Sequence, residues 1–321
     1  MKLIPRTKLS ESAKAARFQN NWVVCILVTL LLFAIASGLQ SVVLVPATVV
    51  FLFRDPGFTE TVYGGNVADA LEKVSTVLEQ LPPWYLLLSL FLTFTVILVC
   101  LFYTKKIDRR SLASAGFRGA APVREYLIGF AVGAVMLTAA LLLCVAVGAA
   151  RIEGISTGIS WIILPFLAGY LVQGMSEEVL CRGVLMQKLS IRYAPIAAIL
   201  INAAFFAALH LLNPGLTLLA ILNLILFGVF ASLYMWKRGN IWGIAALHSA
   251  WNFTQGNLFG VEVSGTPLTS SVFSVTMTES GKWINGGSFG LEGGLAVTAV
   301  YVIGIVVLLL MPVRRDARLD A

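Results

Sequence analysis

Apolar runs of helical length recur about eight times along the chain, separated by polar connections. They cover residues 21–53, 84–103, 126–149, 159–180, 195–212, 216–236, 240–257 and 294–312. Most come close to or exceed the ~20 residues a helix needs to cross a bilayer core of ~30 Å. Within lipid, backbone polar groups must be satisfied inside the segment, so runs of this kind are helices. The pattern predicts an all-α fold, a polytopic membrane helix bundle of about eight transmembrane helices, forming a single integral membrane domain over residues 1–321. The first run is the longest. Gly38 and Pro46 interrupt its pattern and leave open whether 21–53 forms one helix or two.

Among the connections, 54–83 contains a polar stretch, Asp69 to Glu79, that suits an amphipathic helix. Residues 258–293 are rich in Gly, Ser and Thr with little periodicity, and read as an extracytoplasmic loop or lid. Ser111 to Arg118 (SLASAGFR) reads as a short interfacial helix ending at Gly116. Gly129 and Gly133 form a GxxxG pair, common in membrane helices and without functional weight by itself. No internal repeat is visible, which argues against an inverted-repeat transporter.

Composition supports the membrane reading. Of 321 residues 58% are hydrophobic and only 12% charged, against about 25% charged in soluble proteins. Mean hydropathy is +0.88. The net charge of +7 does not point to nucleic acid, because the basic residues sit in short clusters between the apolar runs. Lys2, Arg6, Lys8, Lys14 and Arg17 precede the first run. Lys105, Lys106, Arg109, Arg110, Arg118 and Arg124 follow the second, Lys188 and Arg192 the fourth, Lys237 and Arg238 the sixth, and Arg314, Arg315 and Arg318 the last. The intervening connections hold only Arg54, Lys73, Arg151 and Lys282. Cytoplasmic loops of membrane proteins are enriched in Lys and Arg. The alternation therefore predicts a multi-pass protein of the plasma (inner) membrane, with both termini cytoplasmic and membrane lipids as its surroundings. The first run is too long for a signal-peptide core and is expected to be retained. Cys25, Cys100, Cys144 and Cys181 show no CxxC or CxxxH spacing and read as buried free thiols.

Candidate chemistry lies inside the apolar runs. Ionisable groups there are costly and commonly functional. The fourth run carries Glu177 and Glu178, with Arg182 one helical turn beyond Glu178 on the same face. Glu177 is rotated by about 100° from its neighbour, so one carboxylate pairs with the guanidinium while the other points elsewhere. Taken alone, this trio reads equally well as a charge network locking helices together. The only two histidines, His210 and His248, lie in the fifth and seventh runs. Phe206 shares a face with His210, and Asn252 shares one with His248. Each histidine by itself is better read as a structural hydrogen-bonding residue. Combined, the positions become informative. A hairpin turning near Tyr193 and Ala194 puts Glu177 and His210 at one depth, about 24 Å from the turn. His248 lies about 14 Å from its own turn. The levels agree if the 184–195 hairpin projects about two turns, which places the polar groups together in the cytoplasmic half of the membrane.

The segments EEVLCR, FAALH and HSAWN match EExxxR, FxxxH and HxxxN motifs in order, within residues 159–253. This set resembles the CPBP family of intramembrane proteases, which includes the type II CAAX prenyl endopeptidases. The resemblance implies an eight-helix core and hydrolysis of a peptide bond in a membrane-associated, in some cases lipidated CAAX-type, substrate. It makes Glu177 the base that activates water, assisted by His210. Glu178 and Arg182 orient the site, and His248 and Asn252 steady the oxyanion. Glu177, His210 and His248 could also form a His₂Glu zinc site with one position left for water. Equally, Glu and His could activate water without metal. Family members are commonly described as metalloproteases, which favours a divalent metal. The competing reading is a non-catalytic membrane scaffold, an immunity factor, or a proton or solute carrier that uses the same buried polar groups.

Overall fold

The computed structural model describes residues 4–65, 68–69, 73–74, 76–77, 81–119, 121–267 and 270–319. Eight helical rods stand where the apolar runs predict them. The first is α1 (Trp22–Arg54). The second joins α2 (Pro83–Leu92) to α3 (Phe94–Phe102) through a break at Thr93, and ends in a π turn, Tyr103–Ile107. The third is α4 (Pro122–Ala146). The fourth runs from α5 (Ile163–Glu178) through a π segment, Val179–Met186, into α6 (Gln187–Arg192). Then come α7 (Pro195–Ala208), α8 (Leu218–Arg238), α9 (Trp242–Phe253, prolonged by the π turn Thr254–Leu258) and α10 (Leu295–Leu310).

Four rods, α1, Pro83–Ile107, α4 and α8, are long and apolar enough to cross a membrane, and α7 and α10 are shorter apolar helices. Large apolar side chains such as Leu31, Val42, Leu127, Val135 and Leu164 are exposed on the outer faces. So much contiguous apolar exterior suits lipid rather than water. The protein is an integral membrane protein built as a helical bundle.

The uncertainty over the first run resolves to one helix. Asn21 caps α1 by accepting from the Val24 N–H at 3.0 Å, and the helix continues for 33 residues through Gly38 and Pro46. Proline removes one backbone hydrogen bond, which a membrane helix absorbs by local adjustment. The helix is about 50 Å long, so it must tilt in the bilayer or protrude from it. Most of the polar stretch 69–79 lies outside the described residues.

One expectation needs correction. Residues 258–293 are more ordered than a loop. They contribute β2 (Phe273–Met277), which pairs antiparallel with β1 (Ala150–Ile155) in a register running from Ala150↔Met277 to Ile155↔Phe273. The partner strands are four rods apart in sequence, so no local pattern reveals the pairing. The 184–195 hairpin is wrapped by the N-terminal arm, and Met186 to Ile191 are all buried. Arg6 donates to the Ser190 carbonyl at 2.7 Å, Lys188 to the Phe18 carbonyl, and the Trp22 N–H to the Tyr193 hydroxyl at 3.0 Å. Lys188 also pairs with Asp108 at 2.7 Å, in a buried cluster with Arg110. The SLASAGFR segment forms a 3-10 turn, Leu112–Ala115, capped by Gly116 at φ +99.

The GxxxG pair has a definite task. A Cβ added at Gly129 would lie 1.9 Å from the Gly243 carbonyl oxygen, and one at Gly133 would lie 2.2 Å from that of Leu247. Helices α4 and α9 therefore touch backbone to backbone, which small residues permit. On the other side of α9, a Cβ at Gly174 of α5 would fall 2.8 Å from Ser249 N. The helix carrying His248 is thus clamped between two rods. Gly133→Leu is expected to lower the thermal unfolding temperature of the purified protein, since overpacking costs about 1–3 kcal/mol or more. Gly38→Leu, where nothing lies within 4 Å, is expected to leave it unchanged.

Candidate active site

The site begins with a wholly buried carboxylate. Glu178 Oε1 accepts from Arg182 Nη1 at 3.0 Å and lies 2.9 Å from His248 Nδ1. Arg182, also fully buried, reaches the Gly228 carbonyl at 3.5 Å. Its guanidinium carbon sits 4.6 Å from the Phe206 ring centroid and 5.5 Å from that of Phe227. These contacts are cation–π in kind and gain strength where water is excluded. The π segment beginning at Val179 adds a residue to the turn just where Glu178 meets Arg182. Such bulges recur at functional sites because they re-aim side chains.

Glu177 points away from this cluster, as its offset on the helix requires. Its side chain is 27% exposed against 0% for Glu178. Oε1 accepts from Gln173 Nε2 at 2.5 Å. Oε2 is buried without a protein donor and lies 3.8 Å from His248 Nε2 and 4.0 Å from His210 Nε2. A buried carboxylate oxygen left in this way calls for a water or a substrate proton.

His210 lies just past the helix expected to carry it. Helix α7 ends at Ala208 with Leu209 as C-cap, because Asn213-Pro214-Gly215 follows and the residue before a proline is held out of the helical region. The turn brings His210 Nδ1 to 2.9 Å from the Phe206 carbonyl. A carbonyl only accepts, so Nδ1 bears a proton, and Nε2 is the ring nitrogen turned toward Glu177. Asn252, four residues after His248, donates to Gln173 Oε1 at 3.0 Å. Asn252, Gln173 and Glu177 therefore form a hydrogen-bonded line.

All six residues singled out in the sequence converge. Gln173 was missed, although its position four residues before Glu177 on one helix face was legible. Phe227, Tyr301, Trp251 and Glu292 also line the cavity and had no sequence signal. Phe227 lies 4.8 Å from the His248 ring, and Trp251 stacks on Tyr301 at 5.0 Å. Glu292 accepts from Trp251 Nε1 at 3.1 Å and from the Ser264 N–H and hydroxyl at 2.9 and 2.6 Å. It ties the 263–266 turn to α9.

The cavity holds about 160 Å³, room for several waters at about 10–15 Å³ each on that measure. Glu177 stands near the middle of the rod formed by α5 and α6. The remaining lining comes from Leu86 and Leu90 of α2, Asn223, Leu224 and Phe227 of α8, and the Asn213, Ser264 and Thr266 turns. These lie toward the end of the bundle away from the basic connections.

The fit of a metal was tested on the donor atoms. Two ligands of one tetrahedral zinc, each at ~2.0–2.2 Å, stand about 3.3–3.5 Å apart. Glu177 Oε2 is 3.8 and 4.0 Å from the two imidazole nitrogens. Among the described residues, no group of three His, Cys, Asp or Glu could hold a metal ion. As placed, the residues do not fit zinc.

A carboxylate facing two imidazoles inside a membrane bundle is a set of groups able to activate water. Residues 159–254 match the family model described as type II CAAX prenyl endopeptidase Rce1-like. The matched segment holds all six site residues and supports placing this part of the chain with that family. No curated protein and no solved structure matches the chain.

Arg182→Ala removes the guanidinium from the buried Glu178 and leaves His248 as its remaining partner, and is expected to cost about 3–5 kcal/mol of stability. Thermal unfolding in detergent measures this. Glu177→Gln keeps the Gln173 contact within reach and is expected to unfold within a few degrees of the unmodified protein.

Proposed function

We propose that the protein is an intramembrane endopeptidase that hydrolyses a peptide bond in a membrane-associated protein, a lipidated CAAX-type peptide being one candidate. The observation that carries this reading is the unpartnered Glu177 Oε2, facing His210 Nε2 and His248 Nε2 across a gap within an aromatic-walled cavity. A water there donates one hydrogen to Glu177 and the other to the His210 lone pair, leaving an oxygen lone pair for the substrate carbonyl carbon. Attack forms the C–O bond and passes the water proton to Glu177. The carbonyl oxygen takes the negative charge and meets His248, which is protonated at Nε2 while Glu178 holds Nδ1, and the second N–H of Asn252. Collapse breaks the C–N bond, and the proton on Glu177 goes to the departing amine. The products are a carboxylic acid and an amine, and no co-reactant is consumed.

Each residue acts in a distinct way. Glu177 and His210 handle protons. Glu178 and Arg182 are positioning residues, acting through His248. Gln173 fixes the carboxylate rotamer and links it to Asn252. The aromatic walls lower the local dielectric, which strengthens every charge interaction inside.

Comparing membrane proteomes of cells carrying the unmodified chain and Glu177→Gln is expected to reveal an uncut precursor in the variant. An intact phenotype with Glu177→Gln, together with its loss on deletion of the chain, would instead favour a scaffold. With a substrate in hand, Gln173→Ala is expected to slow cleavage about 10–100-fold, the value of a charge-assisted hydrogen bond at about 1.5–3 kcal/mol. A strong zinc chelator is expected to leave the rate unchanged, and stoichiometric zinc in the active protein would overturn that expectation.

A further inference from the structure

Helices α1 and α7 start side by side at the basic end of the bundle, and a groove opens between them. At their common origin the Trp22 N–H donates to the Tyr193 hydroxyl at 3.0 Å, and Arg192 Nη1 donates to the Gln19 carbonyl at 3.1 Å. The groove encloses about 500 Å³. Trp22, Ile26 and Leu30, each one turn from the next on α1, form one wall, and Phe205 and Leu209 belong to the other. Ala204 and Ala208 are exposed between the walls, and their small side chains give the groove depth. Among the described residues that line it, none is polar or charged.

Length and charge select an occupant. From Trp22 to Leu30 the groove covers about 12 Å of helix rise, within the ~15 Å of a single hydrocarbon leaflet. A helix of a second copy or of another protein, crossing the whole ~30 Å core, would lie against a groove of twice that length. A fatty acyl chain has no such need. At its basic end the groove meets cations. Arg17, five residues before Trp22, and Arg192, three before Pro195, are both exposed. Neither pairs with an acid among the described residues. The one acid in residues 1–21 is Glu11, which is taken up by Lys14 and Arg6. Trp22 itself is half exposed, and tryptophan favours the headgroup level. Basic pockets between membrane helices hold anionic headgroups. We propose that the groove between α1 and α7 binds an anionic glycerophospholipid, with one acyl chain along Ile26, Leu30 and Phe205 and its phosphate at Arg17 and Arg192. The site is separate from the catalytic reading, because none of these residues lines the catalytic cavity.

The delipidated full chain is incubated with equimolar phosphatidylglycerol and phosphatidylcholine of identical acyl chains, and bound lipid is read by native mass spectrometry. Preferential retention of phosphatidylglycerol is the expected result. Arg17→Gln and Arg192→Gln, both at exposed positions, are each expected to cut that preference about fivefold, the equivalent of ~1 kcal/mol per charge. Arg192→Lys is expected to keep most of it. Ala204→Leu, which fills the groove and leaves the charges, is expected to lower retention of both lipids. Equal retention of the two lipids by the unmodified chain overturns the proposal, as does an unchanged preference when both arginines are replaced. Retention that ignores Ala204→Leu, or a dimer that this change dissociates, also overturns it. A second measurement needs no groove variant. Phosphatidylglycerol brominated on its acyl chains is expected to quench Trp22 fluorescence, read as the difference from Trp22→Phe, more strongly than brominated phosphatidylcholine, and equal quenching overturns the proposal.

Discussion

The site depends on one carboxylate oxygen shared by a guanidinium and an imidazole. Glu178 Oε1 binds Arg182 from its own helix and His248 from α9. None of the three has appreciable access to solvent. A charge so buried is tolerable only when paired and hydrogen-bonded. The pairing is complete only when α5, α7, α8 and α9 have closed, because Phe206 and Phe227 supply the faces against which Arg182 lies. Closure of the bundle and orientation of the His248 ring are therefore the same event. With Nδ1 committed to Glu178, only Nε2 is left to face the cavity.

That arrangement explains the adjacent acids. Two carboxylates in sequence on a helix point about 100° apart. Glu178 is satisfied inward, and Glu177 is left with one oxygen tethered by Gln173 and the other open. The difference in burial between neighbours converts a repeated residue into two functions. The close crossings at Gly129, Gly133 and Gly174 serve the same end. They bring α9 against α4 and α5 closely enough for an imidazole to reach across. A slightly wider bundle would leave Glu178 with Arg182 alone.

The two ends of the molecule are built for different conditions. At the basic end, short polar segments are tied down by charge. Asp108 joins Arg110 and Lys188, and Glu125 holds both Arg238 and Arg314. At the opposite end, backbone pairing between β1 and β2 and the Glu292 contacts shape the cavity mouth with little positive charge.

The eight rods, the alternation of basic connections and the six polar residues of the site could be read from the chain alone. The reason is physical: length and hydropathy specify a membrane helix, and a charged residue within one is too costly to be incidental. What the sequence could not determine was distance. The single course of α1 past Pro46, the exit of His210 from its helix, the pairing of β1 with β2 and the burial of Met186 to Ile191 under the N-terminal arm all depend on contacts between segments far apart in the chain. So does the role of Gln173, whose spacing from Glu177 was visible but whose second partner, Asn252, lies on another helix. Rise per residue measures position along a rod and says nothing of how the rods are staggered. Only packing sets that stagger, and with it the distance from the Glu177 carboxylate to the two imidazoles.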